Sequence, residues 1–150
     1  PIYLATARVW DKDFADRIQR HQKDRGPHWT TIEENTFLSR LKLEGKTVLL
    51  DCITLWLNNI FLECKNDVDL SLKNAKKEWA KFIDQDITLI VVSNELGMGV
   101  HPENFIAQKF ADLQGWANQY IASLANEVYL VVSGIPVKIK KTKKNDKTGA

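Results

Sequence analysis

Four stretches of the chain are apolar almost without interruption: residues 2–5, 47–51, 87–93 and 128–133. Near-continuous runs of Val, Ile and Leu suit strands buried on both faces, so each predicts a strand of a parallel sheet. Between them, apolar positions recur at helical spacing. Asp11 is a favoured cap for a helix running to about Lys23, with Phe14, Ala15 and Ile18 on its inner side. Residues 35–42 read as a shorter helix that ends near Gly45. Leu55, Asn58, Asn59 and Leu62 share one face of the next, and Leu72, Ala75, Trp79, Phe82 and Ile83 form the inner stripe of another. The longest helix is predicted from Pro102, a residue suited to a first helical turn, to about Leu124. Its stripe reads Ile106, Phe110, Leu113, Ala117, Tyr120 or Ile121, and Leu124.

Strands separated by helices define an α/β fold, a mostly parallel sheet with helices on both faces. Ligands of such sheets bind outside the carboxyl ends of the strands. The first predicted strand leads into Thr6, Ala7 and Arg8, the second ends in Asp51, and the third in Ser93, Asn94 and Glu95. These residues are expected to converge on one rim.

Composition narrows the class without naming a function. The chain has 150 residues, 44% apolar and 27% charged, which suits one folded domain and excludes a disordered chain or a disulfide scaffold. No run is long and apolar enough to span a bilayer, and the amino end lacks the charged start and apolar core of a signal peptide. Cys52 and Cys64 have neither CxxC spacing nor histidine partners, which fits two reduced thiols in a cytoplasmic protein. The net charge of +2 conceals six Lys and one Asp within residues 137–150, leaving the body of the chain acidic. We read residues 1–137 as one α/β domain and residues 138–150 as a basic, flexible tail. No aromatic residue interleaves with these lysines, so the pattern does not indicate a nucleic-acid platform.

Asp51 closes the run Val48-Leu49-Leu50-Asp51. A carboxylate at a rigid strand end can hold Mg²⁺ or its waters beside a phosphate, and it can equally cap the helix that follows. Glu95 presents the same choice. It precedes Gly97 and Gly99, which either let backbone approach a ligand or simply form a tight turn. No Lys-Ser or Lys-Thr follows them, so this is not a Walker A loop. His21 stands among Arg17, Arg20, Lys23 and Arg25. Positive neighbours disfavour a further positive charge, and a neutral imidazole is a nucleophile in a setting that attracts phosphate. A surface histidine at a helix end is the alternative. His28 and His101 take that plain reading, and no two histidines have the i, i+4 spacing of a metal site.

Four ordered stretches then carry a resemblance. They are Arg17 through Arg25 with His28-Trp29 and residues 31–34; Leu50-Asp51-Cys52-Ile53-Thr54 through Asn58-Asn59; Val92 through Val100 with Pro102-Glu103-Asn104; and Asn118-Gln119 with residues 127–134. Together they resemble the bifunctional adenosylcobinamide kinase/adenosylcobinamide-phosphate guanylyltransferases, over about residues 2–140. The resemblance implies a P-loop NTPase (RecA-like) fold, GTP and ATP as substrates, Mg²⁺, and a homotrimer. It implies that His21 attacks the α-phosphorus of GTP and carries GMP to adenosylcobinamide phosphate. By the same carry-over Ala5, Thr6, Ala7, Gln22, Lys23, Asp24, Arg25, Glu33 and Asp51 contact nucleotide, and Asp51 and Glu95 are candidate Mg²⁺ ligands. The family's first strand and Walker A loop, GxxxxGK[ST], do not occur in the chain, and they are expected upstream of Pro1 in the native protein. Two other readings stand beside the enzyme: a non-catalytic nucleotide-binding or assembly module without the loop, and a nucleic-acid binder using the lysine tail.

Overall fold

The computed structural model describes residues 1–8 and 26–141. Four parallel strands form the main sheet: β1 (Ile2–Ala5), β2 (Thr30–Glu33), β3 (Thr47–Asp51) and β4 (Thr88–Val92), in the order β2-β1-β3-β4. Two helices, α1 (Ile53–Glu63) and α2 (Val68–Phe82), follow β3, and a third, α3 (Phe105–Leu124), follows β4. A hairpin of β5 (Val128–Val132) and β6 (Ile135–Lys140) makes a second, antiparallel sheet.

Strand alternation decides where the core lies. Ile2, Leu4, Val48 and Leu50 share one face and are buried. They pack with Ile53, Trp56, Leu57, Ile60 and Phe61 of α1, Ala75, Trp79 and Phe82 of α2, and Leu113 and Ala117 of α3. Trp79 anchors this layer, its ring centroid 5.8 Å from those of both Trp56 and Phe82. On the opposite face Tyr3 and Leu49 are half-buried, while Ile90 and Val92 are 53% and 42% exposed. All three described helices feed the first face. The second helical layer expected from the sequence is not among the described residues, nor is the helix expected from Asp11 to Lys23.

Helix boundaries follow from their caps. The Asp67 carboxylate accepts from the Leu70 N–H and starts α2. α3 begins three residues after Pro102 because the Asn104 carboxamide oxygen accepts from the Ile106 and Ala107 N–H groups. The short helix expected over residues 35–42 is instead one 3₁₀ turn, Leu38–Arg40. The Glu34 carboxylate takes the Thr36 and Phe37 N–H groups, at 2.9 and 2.8 Å, and commits that segment to a turn.

The run at residues 128–133 is a strand, but not of the parallel sheet. Ser133 and Gly134 both have positive φ, 52° and 78°, which is the requirement of a two-residue type I′ turn, and the chain folds straight back as β6. Residues 138–140, expected in a flexible tail, are therefore paired in β6.

Candidate active site

The carboxyl ends of the parallel strands meet as the alternation of elements requires. Ala5 pairs with Glu33 on one side and Asp51 on the other, and Asp51 pairs with Val92. Glu33, Ala5, Asp51 and Val92 thus form one row across the sheet, their side chains on the same face. Two carboxylates flank the smallest side chain of the row, the half-buried Ala5, whose carbonyl accepts from the Glu34 N–H.

Behind this row the rim is tied down by buried polar groups. Thr6 is wholly buried: its hydroxyl donates to the Cys52 carbonyl at 2.8 Å and accepts from the Cys52 N–H at 3.1 Å. Its own N–H donates to the Asp51 carbonyl, and its carbonyl accepts from Asn59 at 2.8 Å. Asn59 also donates to the Asn35 carbonyl, at 2.9 Å, so one side chain of α1 fixes the ends of β1 and of the segment after β2. Thr6 therefore contributes position to the rim, its hydroxyl being committed to Cys52. Ala7 is half-buried beside it. Arg8 then reaches Thr36 and Glu63, closing the β1 exit against the end of α1.

Asp51 is half-buried, and the Tyr3 hydroxyl donates to its Oδ2. Tyr3 in turn meets the edge of Trp29, with centroids 6.4 Å apart. Cys52, the residue between Asp51 and α1, has its thiol pushed above the ordinary range by burial, with the Asp51 charge acting in the same direction. Glu33 is exposed and has no side-chain partner among the described residues, whereas Glu34 is occupied in its turn. Glu95 is exposed in the loop after β4, where Asn118 of α3 approaches its Oε2 at 3.5 Å. His28 and His101 are exposed, as expected for surface histidines. His21, Gln22, Lys23, Asp24 and Arg25 lie outside the described residues.

Among the described residues no group of three or more His, Cys, Asp or Glu could hold a metal ion. Asp51 ends β3 and Glu95 lies three residues beyond the end of the neighbouring β4, and both are hard oxygen donors. That donor set fits Mg²⁺ arriving with a nucleotide, since this ion uses one or two carboxylates and takes its remaining oxygens from phosphates and water.

Sequence reasoning passed over Asn59, Thr54 and Asn118 as contributors, although all three lie in the stretches that carried the resemblance. Polar residues at otherwise apolar helix positions were the available signal. Each proves to hold a strand end or rim loop rather than face solvent.

The parallel sheet with carboxylates along its carboxyl rim is that of an α/β protein, whose ligands bind outside the strand ends. Comparison with known proteins makes this specific. The family model for cobinamide kinase/cobinamide phosphate guanyltransferase matches residues 1–139, and the chain belongs to that family. The bifunctional adenosylcobalamin biosynthesis protein CobU of Escherichia coli K12 is 35% identical over 160 aligned residues, covering 93% of this chain and 85% of its own length. CobU of Salmonella typhimurium LT2 matches with the same figures. CobP of Pseudomonas aeruginosa PAO1, likewise a bifunctional adenosylcobalamin biosynthesis protein, is 35% identical over 143 residues, 92% of this chain and 81% of its own. The family is one of kinases and nucleotidyltransferases, and the chain is accordingly an enzyme of cobalamin biosynthesis. No helix among the described residues is long and apolar enough to cross a membrane.

Proposed function

We propose that the protein phosphorylates adenosylcobinamide and then transfers GMP from GTP to adenosylcobinamide phosphate through a guanylyl-histidine at His21. An imidazole nitrogen of His21 attacks the α-phosphorus of GTP. The bond from that phosphorus to the bridging oxygen breaks, pyrophosphate leaves, and the imidazole gives up its N–H proton. A phosphate oxygen of adenosylcobinamide phosphate then attacks the same phosphorus. The P–N bond breaks, the imidazole recovers a proton, and adenosylcobinamide-GDP is released. Splitting the transfer in two lets each nucleophile be positioned separately.

The observation that carries this reading is the row Glu33–Ala5–Asp51 at the carboxyl rim of a chain matched over residues 1–139 by the family model. Glu33, unpartnered among the described residues, can accept from guanine N–H groups or ribose hydroxyls. Ala5 and Ala7 line the rim beside the nucleotide, Thr6, expected among its contacts, instead holds the strand end from behind, and Gln22 through Arg25 supply charge and hydrogen bonds along the phosphates. Asp51 and Glu95 would hold Mg²⁺, which when bound neutralises phosphate charge. GTP and ATP are cytosolic nucleotides, so the cytoplasm is the proposed place of action. A homotrimer is proposed as well. Phe105, Ile106, Trp116 and Leu124 of α3, all exposed, offer apolar surface for subunit contact.

Incubation with Mg²⁺ and GTP labelled at the α-phosphorus tests the reading. The protein is expected to retain the label in an acid-labile, base-stable form and to release it to adenosylcobinamide phosphate. GTP labelled at the γ-phosphorus should leave no label on the protein. Absence of α-label on the wild-type protein would favour a non-catalytic nucleotide-binding module.

A further inference from the structure

We propose that Asn118 is a positioning residue that sets the Glu95 carboxylate at the rim, with Gln114 locking the Asn118 carboxamide in the required orientation. This inference rests on the reading of the rim as a Mg²⁺–nucleotide site.

Gln114 and Asn118 are four residues apart on α3 and so face the same way. Gln114 is wholly buried, and its Nε2 donates to Ser93 Oγ at 2.9 Å and to Asn118 Oδ1 at 3.0 Å. Ser93 Oγ donates to the same Asn118 Oδ1 at 2.7 Å. The carboxamide has one orientation that suits its neighbours, because rotation would set its NH₂ against the Gln114 NH₂ and its oxygen against the Asn94 carbonyl. The Asn118 Nδ2 is thereby aimed at the loop after β4. It donates to the Asn94 carbonyl at 2.9 Å and lies 3.5 Å from Glu95 Oε2.

The loop is held from the other side too. The Asn94 N–H and Nδ2 both donate to Thr54 Oγ1 in the first turn of α1, at 3.3 and 2.9 Å. Asn94 is thus gripped between α1 and α3, and Glu95 is the next residue. Beyond it the chain makes a 3₁₀ turn, Leu96–Met98, and then becomes exposed: Met98 is 69% exposed and Val100 95%. An exposed carboxylate on such a loop would sample many positions, and the clamp on Asn94 restricts it.

Gln114 supports a functional demand over a packing one. Among the described residues its Oε1 is buried without a hydrogen-bond partner. A buried carbonyl oxygen without a donor is destabilising, so an apolar residue of similar volume would serve the core better. The other end of the same carboxamide is what orients Asn118.

The test is a double-mutant cycle read by binding, not turnover. The dissociation constant for GTP is measured with and without Mg²⁺ in the parent, Asn118→Ala, Glu95→Gln and the double variant, with thermal unfolding beside it. Asn118→Ala is expected to weaken Mg²⁺-dependent GTP affinity by about tenfold, the usual loss when a residue orienting a metal ligand is removed. Metal-free binding should be unchanged, and the double variant should be no weaker than Glu95→Gln alone. Gln114→Leu should match or exceed the parent in melting temperature while losing Mg²⁺-dependent affinity. Additive effects of the two substitutions, or equal losses with and without Mg²⁺, would overturn the inference and leave the nucleotide site standing. A parent protein that binds no Mg²⁺–GTP would overturn the reading of the site, and the inference with it.

Discussion

Asn59 bridges two backbone carbonyls, that of the buried Thr6 and that of the half-buried Asn35, and its removal would take this donor from both. Asn59→Ala is therefore expected to cost about 2–3 kcal/mol by chemical denaturation, at the upper end for a buried hydrogen-bonding side chain. The two thiols are expected to differ. Burial, reinforced by the Asp51 charge, holds Cys52 protonated to a higher pH than an unfolded cysteine, so its contribution to stability is full below the unfolded thiol range and declines as pH rises through the folded value. At mildly alkaline pH a thiol reagent should modify the half-buried Cys64 first, with Cys52 reacting only as the protein unfolds, as peptide mapping would show. At this scale the sequence was partly legible. Asp51 and Glu95 could be placed on the rim because a strand end is a position that periodicity reveals. The commitment of Thr6 to Cys52 and of Asn118 to Asn94 could not be read, since those partners are brought together only by tertiary packing.

The strands β1, β3 and β4 were legible as elements because their apolar runs exceed what a one-sided strand needs. β2 was not: Thr30-Thr31-Ile32-Glu33 is mostly polar, and among the described residues it sits at the sheet edge with only β1 as neighbour. The 3₁₀ turn at Leu38–Arg40 escaped for a different reason. Local spacing allowed a helix, and the Glu34 carboxylate captures the N–H groups at its start. In the β5–β6 hairpin, Ser133 has a left-handed backbone that asparagine tolerates better than serine. Ser133→Asn is expected to slow amide exchange in β5 by a few fold, with little effect in β3. Glu127 sits at the other end of the hairpin, where its hydrogen bonds to Lys138 and then Tyr129 hold its carboxyl below the usual range. That tie is present at neutral pH and is lost as pH falls through the lowered value. A carboxyl titration by NMR should give a lower midpoint in the parent than in Lys138→Met.

For the whole molecule, chain order alone argued for a parallel sheet with its site at the carboxyl edge, and the four-stranded order β2-β1-β3-β4 has that edge. The placement of the last apolar run was misread because apolar content marks a strand without naming its partner, and two residues of positive φ sent it into a hairpin. Assembly is a further property at this scale. If the exposed apolar residues of α3 meet between subunits, light scattering should report three copies per particle, and Trp116→Glu should lower that number. The central claim is that the rim delivers GTP to one histidine. Mass spectrometry of proteolytic fragments after incubation with Mg²⁺ and GTP addresses it most directly. The account predicts a single GMP addition on the fragment that contains His21, absent from His21→Asn. GMP found on another residue, or retained in full by His21→Asn, would contradict it.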